Sequence, residues 1–199
     1  MPRPMNVAPG AGRYAGVATA LGLVAFPLSP IATAAGVAVA AFVLWFHRDP
    51  DREVPADGIV APADGRVSVI RDEDGRLRVG VFMNVHDVHV NRAPLGGPIE
   101  AVEHSPGAHR PAFSKDSDRN ERVRISFPDH DVVLIAGAFA RRITPYVEAG
   151  GTVDRGDRIG HVSFGSRADV LLPAGVERAD LLVEKGDRIR AGESVIART

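Results

Sequence analysis

The chain contains no cysteine, which excludes disulfides, thiolate catalysis and cysteine-based metal sites. Lysine is almost missing too. Among 24 basic residues only Lys115 and Lys185 are lysines, so few side chains are available for a Schiff base to a cofactor. The formal net charge of −1 provides no basic field to draw nucleic acid. No nucleotide-binding motif and no long amphipathic helical pattern occurs. Charge is lacking altogether from Tyr14 to Phe46, a run of 33 residues.

That run, "YAGVATALGLVAFPLSPIATAAGVAVAAFVLWF", would extend about 50 Å as one helix, well beyond a bilayer core of about 30 Å. Pro27 and Pro30 divide it into two apolar halves, each shorter than the roughly 20 residues that a span needs. Arg3 and Arg13 precede it, and His47 and Arg48 follow, so both ends favour the cytoplasmic side. The expectation is an N-terminal hydrophobic helical hairpin, residues 1–47. It would hold the protein on the cytoplasmic face of the cell membrane, inserted or peripheral, with Trp45 as an interfacial anchor. A cleaved signal peptide fits less well, because no cleavage site precedes Arg48. A buried helical pair in a soluble core is the other alternative.

From residue 48 to 199 the composition changes. Pro, Gly and Asp punctuate short β-branched runs such as "GIVAPADGRVSVI", "RLRVGVFMN", "RVRISF" and "VVLIAGAF". Many short strands between turn signals predict a mainly β domain, a flattened β-sandwich of barrel-sandwich type. Asp74-Gly75 reads as a hairpin turn. "GDRI" occurs at 156–159 and again at 186–189, as a repeated turn or as two ordinary Gly-Asp turns.

Four stretches carry candidate chemistry. In "HVSFGSRADVLLP" Gly165 and Ser166 interrupt a strand pattern, with Arg167 and Asp169 following at once. A serine hydroxyl can attack the preceding carbonyl where glycine permits the required backbone, and β-elimination of the resulting ester breaks the chain. Gly-Ser is also a common turn dipeptide. In "FMNVHDVHVNRAP", strand parity places Asp87 and His89 on one face and His86 on the other. That parity argues against a two-histidine metal site and for a histidine beside a carboxylate, with Arg92 near, suited to acid–base work on an anionic substrate. No metal is expected. "APADGRV" places Asp64 in a tight turn, available to orient a histidine. "RNERVRISF" and "IAGAFARRI" put Glu121, Arg141 and Arg142 beside strands. Each of the last three is equally readable as a solvated edge or turn.

In order along the chain, "RDP", "PADG", "DVHVNR", "NER", "AGAFARRI", "FGSRADVLLP" and "GDRIRAGESVIA" resemble the short-form phosphatidylserine decarboxylase proenzymes. The likeness runs from about residue 44 to the C-terminus, and the hydrophobic leader fits it. The resemblance implies a lyase that cuts itself between Gly165 and Ser166. Ser166 would become a covalent pyruvoyl cofactor that takes the substrate amine. It implies that Asp64 forms a self-cleavage triad with a histidine and Ser166, and that His89 serves acid–base chemistry. Longer members carry His-x-x-His where this chain has His89-x-x-Arg92, which leaves two readings: His89 serves both roles, or another group activates Ser166, His86 being the substitute that strand parity disfavours. Arg92, Arg141 and Arg142 are candidates to hold the phosphodiester.

The implied reaction turns phosphatidylserine into phosphatidylethanolamine in phospholipid biosynthesis. Its implied partners are the membrane lipid and the chain's own two pieces, 1–165 and 166–199, paired as a heterodimer in a family that tends to associate further. Two alternatives stand beside it: an ether-lipid (archaetidylserine) decarboxylase, and a non-catalytic membrane-anchored barrel-sandwich adaptor.

Overall fold

The computed structural model of the chain describes residues 6–27, 29–108, 119–137, 143–163 and 165–199. Arg141 and Arg142 lie outside the described residues. The chain divides into two compact units, Met1–Asp51 and Arg52–Thr199.

In the first unit β1 (Asn6–Val7) precedes α1 (Ala11–Ala25) and α2 (Pro30–Phe46), and β2 (Arg48–Asp49) pairs back onto β1. Pro30 starts α2 at its first turn, where a missing N–H costs nothing, and Ser29 caps it by accepting the Ala32 amide at 3.3 Å. The helices meet at small residues. A side chain at Gly36 would come within 2.8 Å of the Ala18 carbonyl and the Gly22 Cα. The Thr33 hydroxyl donates to the Gly22 carbonyl at 2.8 Å across the same contact. Large apolar side chains, among them Leu21, Val24, Phe26 and Ile31, stay exposed. At 15 and 17 residues, the helices are about 22 and 25 Å long. Among the described residues no helix is long and apolar enough to cross a membrane.

The second unit is mainly β, as expected. Its strands are β3 (Ile59–Val60), β4 (Gly65–Glu73), β5 (Arg76–Phe82), β6 (Val90–Arg92), β7 (Gly97–Pro98), β8 (Ala101–Ser105) and β9 (Arg122–Ser126). They continue with β10 (Asp131–Ile135), β11 (Ile143–Pro145), β12 (Thr152–Val153), β13 (Arg158–Val162), β14 (Arg167–Leu171), β15 (Arg188–Ile189) and β16 (Val195–Ala197). An antiparallel sheet of seven strands runs β15-β4-β5-β14-β10-β9-β8, with β14 in the middle. A smaller sheet runs β11-β13-β6, and β12-β7 and β16-β3 pair separately. Alternation sends Val79, Val81, Val132, Leu134, Ala168 and Val170 to one apolar core. The other face of the sheet carries Val133, Ile135 and Leu171 as a second small cluster.

The expected hairpin forms: Asp74 (φ 52°) and Gly75 (φ 78°) make the two-residue turn between β4 and β5. Both "GDRI" segments close the same way. Asp157 Oδ2 accepts the Asp154 amide at 2.8 Å and Asp187 Oδ2 accepts the Glu184 amide at 2.7 Å, each just before a strand. The strand expected through 82–94 does not form as drawn. Residues 83–89 turn, because Asp87 Oδ2 accepts the Asn84 amide at 2.8 Å, and pairing resumes only at Val90.

Beside the β9–β10 turn, His130 is buried and stacked on Phe127, ring centroids 4.2 Å apart at 9°. Burial pushes its pKa below the ordinary histidine value, against the pull of Asp129, which accepts from Nδ1 at 2.7 Å. The folded chain therefore takes up this proton less readily than the unfolded one. Stability is expected to fall as pH drops through the ordinary histidine value of about 6.5, until the folded group also titrates. Melting midpoints measured between pH 8 and pH 5 should show that slope in the wild type and a flatter one in His130→Phe. Equal slopes would remove His130 from the effect.

Candidate functional site

Ser166 lies immediately before β14, the central strand, and is fully buried. Its carbonyl accepts the Met83 amide at 2.9 Å, and its hydroxyl reaches the Val162 carbonyl at 3.4 Å and Met83 Sδ at 4.0 Å. Gly165 before it has φ +63°, the left-handed region. A Cβ there would meet nothing within 4 Å, so glycine is needed for conformation and not for room. The serine hydroxyl is thus weakly held beside a peptide bond in an unusual conformation.

Val162 joins the second candidate to the first. Its amide donates to the His89 carbonyl at 3.3 Å while its carbonyl faces the Ser166 hydroxyl. His89 is buried, and its Nδ1 lies 3.0 Å from the Asp87 main-chain carbonyl. A carbonyl only accepts, so Nδ1 carries the proton and a neutral ring keeps its lone pair on Nε2. The carboxylate expected to share a face with His89 points elsewhere. Asp87 caps its own turn and meets Arg188 at 3.3 Å and the exposed His86 at 3.6 Å.

Asp64 turns to other partners. Both its oxygens take Arg52 Nη2, at 2.9 and 3.0 Å, and Oδ1 also accepts the Ala191 amide at 2.8 Å. Its tie to the site runs through the backbone of the next residue. Gly65 (φ +141°) lies so close to the Phe82 carbonyl that any Cβ would collide with it, and Phe82 leads directly into Met83. Arg92 is buried, with Nη1 on the Gly156 carbonyl at 3.0 Å and its stem against Gly192. Glu121 takes His104 Nε2 at 2.9 Å, on the β8–β9 side of the sheet. Among the described residues no group of three His, Cys, Asp or Glu side chains is placed to hold a metal ion.

Three residues that sequence reasoning did not single out belong here. Met83 has its sulphur beside both Ser166 and Asn91. Asn91, fully buried, directs Nδ2 to Met83 Sδ at 3.6 Å and to the Pro62 carbonyl at 3.5 Å, which leaves Oδ1 without a partner among the described residues. An unpaired buried acceptor costs about 1–3 kcal/mol, so it marks a place where a donor is wanted. Arg52, from "PDREVP", holds Asp64. Met83 and Asn91 both lie inside "FMNVHDVHVNRAP", which was their signal; Arg52 had none.

The structure thus places a loosely held, buried serine directly after a left-handed glycine, with a buried histidine one hydrogen-bonded residue away. The family model for phosphatidylserine decarboxylase matches residues 39–197. The chain is 61% identical to a protein named putative archaetidylserine decarboxylase proenzyme from Halobacterium salinarum, over 96% of this chain and 97% of that one. It is 51% identical to the phosphatidylserine decarboxylase proenzyme of Streptomyces avermitilis, over 81% of this chain and 76% of the relative. With the putative archaetidylserine decarboxylase proenzyme of Methanococcoides burtonii the identity is 45%, over 79% and 75%. The chain belongs to the phosphatidylserine decarboxylase family.

Proposed function

We propose that this chain is a self-processing, pyruvoyl-dependent decarboxylase that converts phosphatidylserine to phosphatidylethanolamine. The observation that carries the reading is the buried Ser166 at the head of the central strand, directly after a left-handed Gly165. The Ser166 oxygen attacks the Gly165 carbonyl, the amide becomes an ester, and loss of the Ser166 α-proton expels the Gly165 carboxylate. The dehydroalanine left behind takes up water and releases ammonia, leaving a ketone at residue 166.

The surroundings fit a pyruvoyl group. Ser166 is shut away from water, Met83 and Val162 pack around it, and Asn91 Oδ1 is an acceptor in search of a donor, which an amine nitrogen supplies. When formed, the group supplies an electron sink for the pair left as carbon dioxide departs. His89, with Nδ1 fixed on Asp87, moves protons through Nε2: it takes the Ser166 proton during cleavage and returns one to the substrate carbon during turnover. Asp64 acts at one remove by fixing the turn against Phe82.

The high identity to an archaetidylserine decarboxylase favours a second reading in which the same serine headgroup is carried on ether-linked tails. The headgroup chemistry is common to both. The apolar helical pair, 1–47, fits attachment to the cytoplasmic face of a membrane by a shallow hairpin, which brings residues 48–199, a flattened β-sandwich, to their lipid.

Intact mass of purified protein tests the reading. Pieces of 165 and 34 residues should appear, the smaller blocked to Edman sequencing by its ketone. The same preparation should float with phospholipid vesicles and release carbon dioxide from ester-linked or ether-linked serine lipid. An active preparation holding only the intact chain would reject self-processing, and protein that stays behind when vesicles float would reject attachment.

A further inference from the structure

The cut at residue 165 would leave the reactive residue at a chain end, and chain ends fray unless something holds them. One residue further on, Arg167 Nε and Nη2 grip both oxygens of Asp169, at 2.7 and 2.8 Å, in a planar fork. Asp169 is fully buried, and Arg78 Nη1 reaches its Oδ2 at 2.7 Å from the neighbouring strand β5. Arg78 Nη2 continues to Glu73 at 2.5 Å, and Glu73 is also held by Arg71 at 2.7 Å. Burial resists the Glu73 charge, but the two arginines outweigh it and hold its pKa below the ordinary carboxylate value.

The sheet is shaped to admit this network. Asp169 pairs with Gly80 across β14 and β5, and a Cβ on Gly80 would stand 2.6 Å from Asp169 Oδ1. Buried ion pairs are poor sources of stability, since apolar side chains of equal volume often serve as well or better. The arrangement is notable for where it sits. Arg167 and Asp169 fall in the piece 166–199, whereas Arg78 and Glu73 fall in 1–165, so the network bridges the two pieces at the new end.

We propose that Asp169, gripped by Arg167 and Arg78, is a positioning clamp that holds residue 166 in register across the cut. It touches no reacting atom. It fixes the residue next to the reactive one, first so that the Ser166 hydroxyl meets the Gly165 carbonyl and later so that the new terminus stays in the site. This rests on the self-processing reading of Ser166.

The test uses the full chain in three forms: Asp169→Asn, Arg167→Lys, and a neutral set combining Arg78→Met, Arg167→Met and Asp169→Asn. Cleavage rate, melting midpoint, and kcat and KM per cleaved chain are measured for each. Misplacement of a reacting group costs rate steeply, so the neutral set should cleave at least about tenfold more slowly while melting near the wild type. Its cleaved fraction should lose kcat with KM within about twofold, because the clamp does not touch substrate. Arg167→Lys, which keeps the charge but not the fork, should fall between. A neutral set that cleaves and turns over at wild-type rates overturns the clamp. So does a cleavage loss that tracks the fall in melting midpoint across all three variants, which would make the network a stability element only. A wild-type chain that never cleaves would instead reject the self-processing reading.

Discussion

Ser166→Ala is expected to remain a single chain of 199 residues with no decarboxylase activity, a complete loss at both stages. The hydroxyl is the only atom removed, and it is the atom that must attack Gly165. Its present contacts are loose, 3.4 Å to the Val162 carbonyl and 4.0 Å to Met83 Sδ, so its removal should barely move the melting midpoint. A folded but uncut protein is therefore the expected product, and misfolding is not available as an explanation. Ser166→Cys should cleave slowly, because a thiol undergoes the same acyl shift. Gly165→Ala should be impaired for a different reason: its side chain has space, but the left-handed backbone costs an alanine roughly 1–2 kcal/mol. Cleavage of the alanine variant of Ser166 between residues 165 and 166, seen by intact mass, would end the assignment.

Much of this architecture was legible because it depends on local chemistry. Asp74-Gly75 specifies a two-residue turn through positive φ at both positions, and the two "GDRI" turns repeat one aspartate-to-amide bond. Pro27 and Pro30 divide the apolar run because proline cannot continue one helix and readily begins another. Two expectations met contacts that pattern alone does not show, one of them local. Strand parity for 82–94 assumed continuous pairing, but the Asp87 side chain folds the chain back on Asn84, so the residue that meets His89 is Asp87 through its main chain.

For Asp64 the contacts come from afar in sequence. Its sequence context invites a histidine, yet Arg52 and the Ala191 amide, 127 residues away, take both oxygens. Nothing in a single sequence signals that meeting. The same holds for the Met83 sulphur between Ser166 and Asn91, which depends on β5, β6 and β14 converging.

His89→Ala is expected to lower turnover by about 10²–10⁴-fold, the usual contribution of a positioned acid–base group. The argument starts from the tautomer. Nδ1 donates to the Asp87 carbonyl at 3.0 Å, so the neutral ring presents a lone pair at Nε2 and can both take and return a proton. The proposed mechanism also gives the serine-activating role to His89, since Arg92 stands three residues on and its Nη1 donates to the Gly156 carbonyl. The alanine variant should then accumulate as uncut chain. His89→Gln preserves the polar contact with Asp87 but cannot exchange a proton at the second nitrogen, so it should fail equally, which separates proton transfer from packing. If the alanine variant is cut at the normal rate but no longer releases carbon dioxide, His89 acts only in turnover and another group activates Ser166. If it is cut normally and decarboxylates serine lipid at the wild-type rate, His89 has no part in either stage. A gel of the processed chains and a carbon dioxide assay on the same preparation distinguish the three cases.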